Sequence, residues 1–155
     1  MKDHNKTENQ LIEEIKDLRY RLNQFKQIIE ASPMGMHMYK LESDGQLIFT
    51  GANSAADNIL GVNNKDYIGK TIEEAFPASV DTAIPEKYRL IAEEGKPWHS
   101  EQIFYEDEKV SGAFEVNAFQ TSPGCKVTMF NDISEKKKVE ELLKLSEEKF
   151  SKVFH

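Results

Sequence analysis

Three short segments of alternating apolar and polar residues constrain the fold more than any other feature of the sequence. They are WHSEQIFYE (98–106), GAFEVNAFQ (112–120) and CKVTMFND (125–132). A period of two residues is typical of β-strands, whose side chains point alternately to the two faces of a sheet. The intervening DEKVS and TSPG are of hairpin length, so the three segments are predicted to form antiparallel strands.

Two further strands are predicted nearer the N-terminal end, in GMHMYKL (35–41) and QLIFTG (46–51). They flank the sequence ESDG, in which Asp44-Gly45 is a strong signal for a hairpin turn. The predicted sheet therefore has strands on both sides of a central segment that carries a different pattern.

Helices are predicted in that central segment. Asn53 is a residue type that favours the N-cap position, and it precedes a short helix that ends at Gly61. Thr71 and Glu74 form a capping-box pattern at the start of another short helix. A longer amphipathic helix is predicted over residues 84–97. An antiparallel sheet with its helices gathered in the middle of the chain is an α+β fold.

An amphipathic helix is also predicted over residues 11–31, after a polar segment, residues 1–10, that is predicted to be disordered. Its apolar residues recur at alternating spacings of four and three, which forms a narrow heptad seam. The seam consists of Leu11, Ile15, Leu18, Leu22, Phe25 and Ile29. Such a narrow seam is expected to pair with a second helix in a homodimer, and the alternative is a helix that lies on its own domain.

The last strand runs into a long polar helix without an intervening glycine or proline. The segment MFNDISEKKKVEELLKLSEEKF (129–150) changes from a strand pattern to a helix pattern at Asp132-Ile133-Ser134. Either Asp132 or Ser134 can cap the helix, which is predicted over residues 134–155. The four-three spacing returns in this helix, at Val139, Leu143, Ser146, Phe150 and Val153.

Composition limits the classes of partner and the location. The net charge is -7, and the one basic run, Lys136–Lys138, is followed after one residue by Glu140 and Glu141. Nucleic acids and anionic membrane surfaces both require clustered Lys and Arg, so neither partner is expected. The N-terminal residues lack the apolar stretch of a signal peptide, and no segment has the roughly 20 apolar residues that span a bilayer. With a single cysteine, Cys125, no internal disulfide can form, and a cytoplasmic location is expected.

Four segments carry a resemblance to a known family. In chain order they are IIEASPMGMHMYKLESDGQLIFTGANSAADNILG, YIGKTIEEAFP, YRLIAEEGKPW and FNDISEKKKVEELL. Together they resemble the PAS domain, a sensory module of bacterial and archaeal signalling proteins, over about residues 25–140. The last segment is similar to the Asp-Ile-Thr exit motif of that family, with Ser134 where threonine is more common.

The resemblance implies a five-stranded antiparallel sheet in the order 2-1-5-4-3, with helices on one face that enclose a pocket. It assigns residues 32–133 to the PAS domain and residues 134–155 to a signalling helix that leads to a further module. It also implies a parent such as a sensor histidine kinase, in which this chain is the regulatory part. The chain has no Gly-rich phosphate loop and no nucleophile–base pair of a covalent catalyst, so it is not expected to be an enzyme.

The implied sheet has its last strand at the centre, where it would contact whatever the pocket holds. Asp132, Ile133 and Ser134 are therefore predicted to relay a ligand-dependent movement of that strand to the helix. The output would be a change in helix register or angle within a dimer, which an output kinase or a neighbouring PAS domain then receives.

The cofactors of known PAS domains do not fit these residues. Covalent flavin photochemistry needs an Asn-Cys-Arg motif, whereas DNILGVNNKDYIG (57–69) has no cysteine. Haem needs an axial ligand, usually histidine, and IPEKYRLIAEEG (84–95) has none. A thioester-linked chromophore would also need a cysteine there, and no His/Cys/Asp cluster has metal-ligand spacing. A colourless small metabolite is therefore the expected ligand.

Tyr39, Tyr88 and Asn117 are the predicted pocket residues, because small-molecule pockets are mostly apolar with a few polar groups that fix orientation. The alternative is a pair of aromatic side chains at the core edge and a surface amide. Alternation places Asn117 on the face of its strand opposite to Val116, and the sequence leaves open which face meets the helices. His37 is interpreted as a satisfied strand residue rather than a ligand.

A second function is also compatible with this sequence. A PAS domain with a filled core and no ligand can serve as a dimerisation and spacer element. A well-packed interior without a pocket would favour this alternative.

Overall fold

A computed structural model describes residues 5–108 and 110–154 of the chain. The chain divides into two compact units, residues 1–32 and residues 33–155. The first unit contains one helix, α1 (Glu8–Ala31), and the second contains the sheet with its helices.

Helix α1 begins at Glu8, three residues before the predicted start at residue 11. The backbone N–H of Gln10 donates to the Thr7 hydroxyl at 3.2 Å, and the Thr7 N–H donates to the Gln10 side chain at 2.9 Å. This reciprocal capping box satisfies N–H groups that have no partner inside the helix. The predicted disorder of residues 1–10 is therefore wrong for residues 8–10, and residues 1–4 lie outside the described part of the chain.

The apolar seam predicted on α1 is exposed from Leu11 to Phe25, and its last residue, Ile29, is half-buried. The exposed fraction is 40% at Leu11 and 64% at Phe25, and the helix contains no buried residue. An exposed apolar stripe of this kind is compatible with pairing to a second helix, which stays a prediction.

Five antiparallel strands form a single sheet in the second unit. Their bounds are β1 (Gly35–Leu41), β2 (Leu47–Ala52), β3 (Trp98–Glu106), β4 (Ser111–Ser122) and β5 (Cys125–Asp132). The strand order is β2-β1-β5-β4-β3, which confirms the predicted α+β PAS fold and puts β5 at the centre, between β1 and β4. The predicted bounds of β1, β3 and β5 are correct, and those of β2 and β4 differ by one or two residues.

The hairpin between β1 and β2 has the turn that the sequence predicts. The Asp44 side chain accepts a hydrogen bond from the Gln46 N–H at 3.0 Å, and Gly45 adopts a φ of 85°. Side chains with a Cβ rarely adopt that left-handed conformation, so glycine suits the position.

Three α-helices connect β2 to β3, namely α2 (Ser54–Leu60), α3 (Ile72–Ala75) and α4 (Ile84–Glu94). Their ends follow the predicted signals: Asn53 accepts the Ala56 N–H at 3.1 Å, and a capping box joins Thr71 and Glu74. Asn53 also accepts the Met36 N–H at 2.8 Å, so it fixes the start of α2 against β1.

The helices cover one face of the sheet, and the structure settles which one. Phe114, Val116 and Ala118 of β4 are buried in the core, on the helix side. The face of β4 that carries Asn117 is the opposite one, because alternate strand residues point to opposite sides.

A single residue, Ile133, separates β5 from the last helix, α5 (Ser134–Phe154). Several apolar side chains of α5 are exposed: Val139, Leu142, Leu143, Leu145 and Phe150. Residue 155 of the predicted helix lies outside the described residues. None of the helices described here combines the length and the apolar character that crossing a membrane requires.

Candidate functional site

A small cavity lies between the helices and the covered face of the sheet. Its volume is about 90 Å³. Side chains from β1, β4, β5, α3 and α4 line it, and they include Tyr39, Tyr88, Val116 and Phe130. Typical ligand pockets measure roughly 300–1,000 Å³, so this cavity fits only a small molecule without rearrangement.

Aromatic rings form much of the cavity wall. The His37 ring stacks on Phe76 with the centroids 5.2 Å apart, and it meets Phe130 edge-on at 4.8 Å. The rings of Tyr39 and Phe49 also meet edge-on, at 5.4 Å. Offset and edge-on contacts are the arrangements that aromatic rings prefer, so packing holds this wall in place.

Hydrogen bonds link His37 through Asn64 to Asp57. His37 Nε2 lies 2.9 Å from Asn64 Oδ1, and Asn64 Nδ2 donates to Asp57 Oδ1 at 2.7 Å. Because a carboxylate only accepts hydrogen bonds, Asn64 presents its nitrogen to Asp57 and its oxygen to His37. This assigns the His37 proton to Nε2 and leaves Nδ1 as an acceptor.

His37 stays neutral in the folded chain. Burial lowers its pKa to about 3, although the hydrogen bond to Asn64 acts in the opposite direction. A neutral, hydrogen-bonded imidazole agrees with the interpretation of His37 as a satisfied strand residue.

Lys126 of β5 lies on the face of the sheet that the helices cover, as His37 does, and it is 1% exposed. Its amine nitrogen is 3.3 Å from the centroid of the Tyr88 ring and 4.5 Å from that of the Tyr39 ring. The amine donates a hydrogen bond to the hydroxyl of Thr128. Burial lowers the pKa of Lys126 well below its usual value, because a charged amine loses its hydration there.

Thr128 connects this amine to the cavity, which its side chain lines. A hydrogen bond joins Thr128 to the Tyr88 hydroxyl, but burial outweighs it and raises the pKa of Tyr88 to about 12. Burial also raises the pKa of Tyr39 well above its usual value. Both tyrosines are therefore neutral, and no negative charge faces Lys126 from them.

The structure brings two of the three predicted pocket residues together. Tyr39 and Tyr88 line the cavity, with ring centroids 5.9 Å apart. Asn117 lies on the other face of the sheet, where its side-chain oxygen is 2.8 Å from His99 Nδ1. The placement of Asn117 in the pocket is therefore wrong, because the side-chain parity of β4 turns it away from the helices.

Sequence reasoning missed Thr128 as a cavity residue and Lys126 as its buried hydrogen-bond partner. The signal was present in the alternation of CKVTMFND, which puts Lys126 and Thr128 on the same face as Phe130. A lysine in a strand is usually exposed to solvent, so the residue type argued against a buried position for Lys126.

The junction between β5 and α5 is tied to the neighbouring strand β4. The Ser134 N–H donates to the Asp132 carboxylate at 2.8 Å, so Asp132 accepts a backbone N–H as predicted. The Ser134 hydroxyl accepts the Ala113 N–H at 3.0 Å, and the Ile133 N–H donates to the Ala113 carbonyl at 2.8 Å. Ser134 therefore attaches the first turn of α5 to β4 and does not cap the helix with its hydroxyl.

Removing the Ser134 hydroxyl should weaken this attachment. Ser134→Ala leaves the Ala113 N–H without its partner, and the free energy of unfolding is expected to fall by about 1 kcal/mol. Urea denaturation measures the change, with Ser151→Ala on an exposed position of α5 as the matched control. Equal stability of the two variants would show that the hydrogen bond is not significant.

Comparisons with known proteins agree with this architecture. Residues 29–138 match a family model described as the PAS fold. A search of curated proteins gives no match.

Several solved structures are similar to the chain. A domain of the sensory box sensor histidine kinase/response regulator from Geobacter sulfurreducens has a TM-score of 0.58 and 14% identity, covering 74% of this chain and 96% of that one. The PAS domain of a protein from Colwellia psychrerythraea has a TM-score of 0.56 and 13% identity, covering 74% and 98%. An RNA-binding light-oxygen-voltage receptor has a TM-score of 0.61 and 13% identity, covering 81% and 37%. At these identities the likeness concerns the fold.

Proposed function

The chain belongs to the PAS fold family, and from this premise we propose that it is a sensory module that binds a small molecule in its cavity. Helix α5 then relays the bound state to an output domain. The observation that carries the proposal is the position of β5, which both lines the cavity and continues into α5 after one residue.

Only a short stretch of chain separates ligand contact from output. Thr128 and Phe130 line the cavity, and Ser134 begins α5 four residues after Phe130. A ligand that favours one of two positions of β5 shifts the population of those positions. Because Asp132, Ile133 and Ser134 hydrogen-bond within the junction and to β4, the first turn of α5 moves with the sheet.

We infer that the output domain is a histidine kinase or a neighbouring PAS module in a cytoplasmic parent protein. Support comes from the similarity to a domain of a sensor histidine kinase/response regulator. The exposed apolar seams of α1 and α5 support action as a homodimer, since helix pairing would bury them.

Native mass spectrometry of the purified chain tests ligand binding. A bound molecule is expected to add a fixed mass to the wild-type chain, and Val116→Phe should abolish that mass because the larger side chain fills the cavity. The matched control is Val127→Phe, which adds the same bulk to the next strand, β5, on its partly exposed face. The same added mass on both variants would exclude the cavity as the binding site.

Asp132→Ala tests the relay. This change removes the acceptor of the Ser134 N–H at an exposed position, so the fold should persist with a loss of about 1 kcal/mol. In the full-length parent, the ligand should still bind while its effect on output is lost. Normal signalling by that variant would contradict the relay.

The small volume of the cavity favours a second candidate function. With only about 90 Å³ available, the unit could act as a ligand-free element for dimerisation and spacing. A dimer that carries no bound molecule in native mass spectrometry, from any growth condition, would support this function over sensing.

A further inference from the structure

The amine of Lys126 occupies an unusual place for a lysine, because it is buried in the core. Among residues 5–108 and 110–154, no carboxylate lies within ion-pair distance of it. Burial of an unpaired charge is costly, and the cost falls when an opposite charge or a hydrogen-bond partner is supplied.

The groups that face Lys126 come from three elements. Tyr39 and His37 approach from β1, Tyr88 from α4 and Thr128 from β5 itself. All four are uncharged in the folded chain at neutral pH. Asp57 is the carboxylate that ends the hydrogen-bond chain from His37, and its partner in that chain is Asn64.

A purely structural role explains the position poorly. A methionine has similar length, fills the same space and has no charge to desolvate. The faces of the two tyrosine rings attract a cation, yet such contacts compensate for only part of the lost hydration. What the lysine adds is a positive charge that can be formed next to the cavity.

Thr128 carries the influence of that charge to the cavity surface. Its oxygen accepts a hydrogen bond from Lys126, and its side chain lines the cavity. A hydroxyl that accepts from an amine becomes a stronger donor through its own proton, because linked hydrogen bonds polarise one another. Thr128 shares that proton with the Tyr88 hydroxyl, and the side chain of Tyr88 also lines the cavity.

On the basis of the proposed sensory function, we propose that the ligand is a small monocarboxylate whose carboxylate binds at Thr128, which lines the cavity, beside the amine of Lys126. Its apolar part would occupy the region lined by Val116, Phe114 and Phe130. An apolar cavity of roughly 150 Å³ holds the six carbons of benzene, so a cavity of about 90 Å³ suits an acid of about four or five heavy atoms.

Binding of such an acid should be linked to proton uptake. The lowered pKa of the Lys126 amine makes its charge hard to form in the empty cavity, and a bound carboxylate reverses this preference. Affinity should therefore fall as the pH rises, by up to about tenfold per pH unit where the amine is neutral before binding.

Propionate is the probe, and propionamide is its uncharged match of the same size. Calorimetry on the full chain should show propionate binding on the order of 10- to 100-fold more tightly than propionamide. Lys126→Met should remove this preference, and Lys40→Met, at an exposed lysine of β1, should retain it. Repetition in two buffers of different ionisation enthalpy should reveal proton uptake with propionate only.

Thr128→Val provides a second variant in case Lys126→Met alters the packing, since it keeps the shape of the side chain and removes the hydroxyl. It should also weaken propionate binding. Three outcomes would contradict the proposal that the ligand is a monocarboxylate. They are equal affinity for the two probes, an unchanged preference for propionate in both variants, and no binding of either probe. The proposed sensory function would still stand if native mass spectrometry detects a bound molecule that is absent from Val116→Phe. It fails if the purified chain carries no bound molecule.

Discussion

Raising the pH from about 7.5 to about 9.5 is expected to stabilise the folded chain, with Lys126 as the cause. In the folded chain the pKa of Lys126 lies well below the value of 10.5 for a free side chain. Between these two pKa values the unfolded chain binds one proton more than the folded chain. The free energy of unfolding should therefore rise with pH, by at most about 1.4 kcal/mol per pH unit.

Chemical denaturation at a series of pH values measures this slope. Lys126→Met should abolish it and should be more stable than wild type at neutral pH, because no charge is desolvated. Lys40→Met, at an exposed position of β1, should keep the wild-type slope. The range must stop below about pH 10, since the raised pKa values of Tyr39 and Tyr88 reverse the sign above it. If the slope is unchanged in Lys126→Met, Lys126 is not the cause of the rise in the free energy of unfolding with pH.

On the acid side, His37 is expected to destabilise the fold as the pH falls. Its pKa is about 3 in the folded chain and about 6.5 when unfolded, so the unfolded chain binds the extra proton between these values. Stability should therefore decline from near neutrality downward. From about pH 7 to about pH 4.5 the loss attributable to His37 is about 2.5 kcal/mol.

His37→Gln removes the titrating group and keeps a side-chain N–H for Asn64. It should flatten the pH dependence between about pH 6.5 and about pH 5.5, where ordinary carboxyl groups are almost fully ionised. The control is His99→Gln, on an exposed strand position, and its profile should follow the wild type. If the free energy of unfolding of His37→Gln falls with acid as steeply as that of wild type, His37 is not the buried base that causes the loss of stability below neutral pH.

The sheet could be predicted from the sequence because its determinants are local. Strand parity, the Asp44-Gly45 turn, and the caps at Asn53 and Thr71 each involve residues that are close in sequence. The apolar seam predicts a start of α1 at residue 11, which is too late, because the capping box of Thr7 and Gln10 defines the N-terminal end of the helix.

The cavity could not be predicted in the same way, because its polar contacts join distant parts of the chain. His37 and Asn64 are 27 residues apart, and the ring of Tyr88 reaches Lys126 from another element. Tyr39 and Tyr88 could be predicted because they combine an apolar ring with a polar hydroxyl, as the lining of a mostly apolar pocket with a few polar groups requires. Asn117 was misplaced because strand parity alone does not say which face is covered.

The short join between β5 and α5 also has a geometric consequence. Each residue of an α-helix turns the chain by about 100°, and Ile133 is the only residue between the strand and the helix. The pleat of β5 therefore sets the rotational phase of α5, and with it the direction in which Val139 and Leu143 point. One residue inserted after Ser134 would swing that direction by about 100°, whereas seven would restore it to within about 20°. Any domain that responds to the direction of α5 would have to be matched to this angle, because the join has no loop that could correct a mismatch.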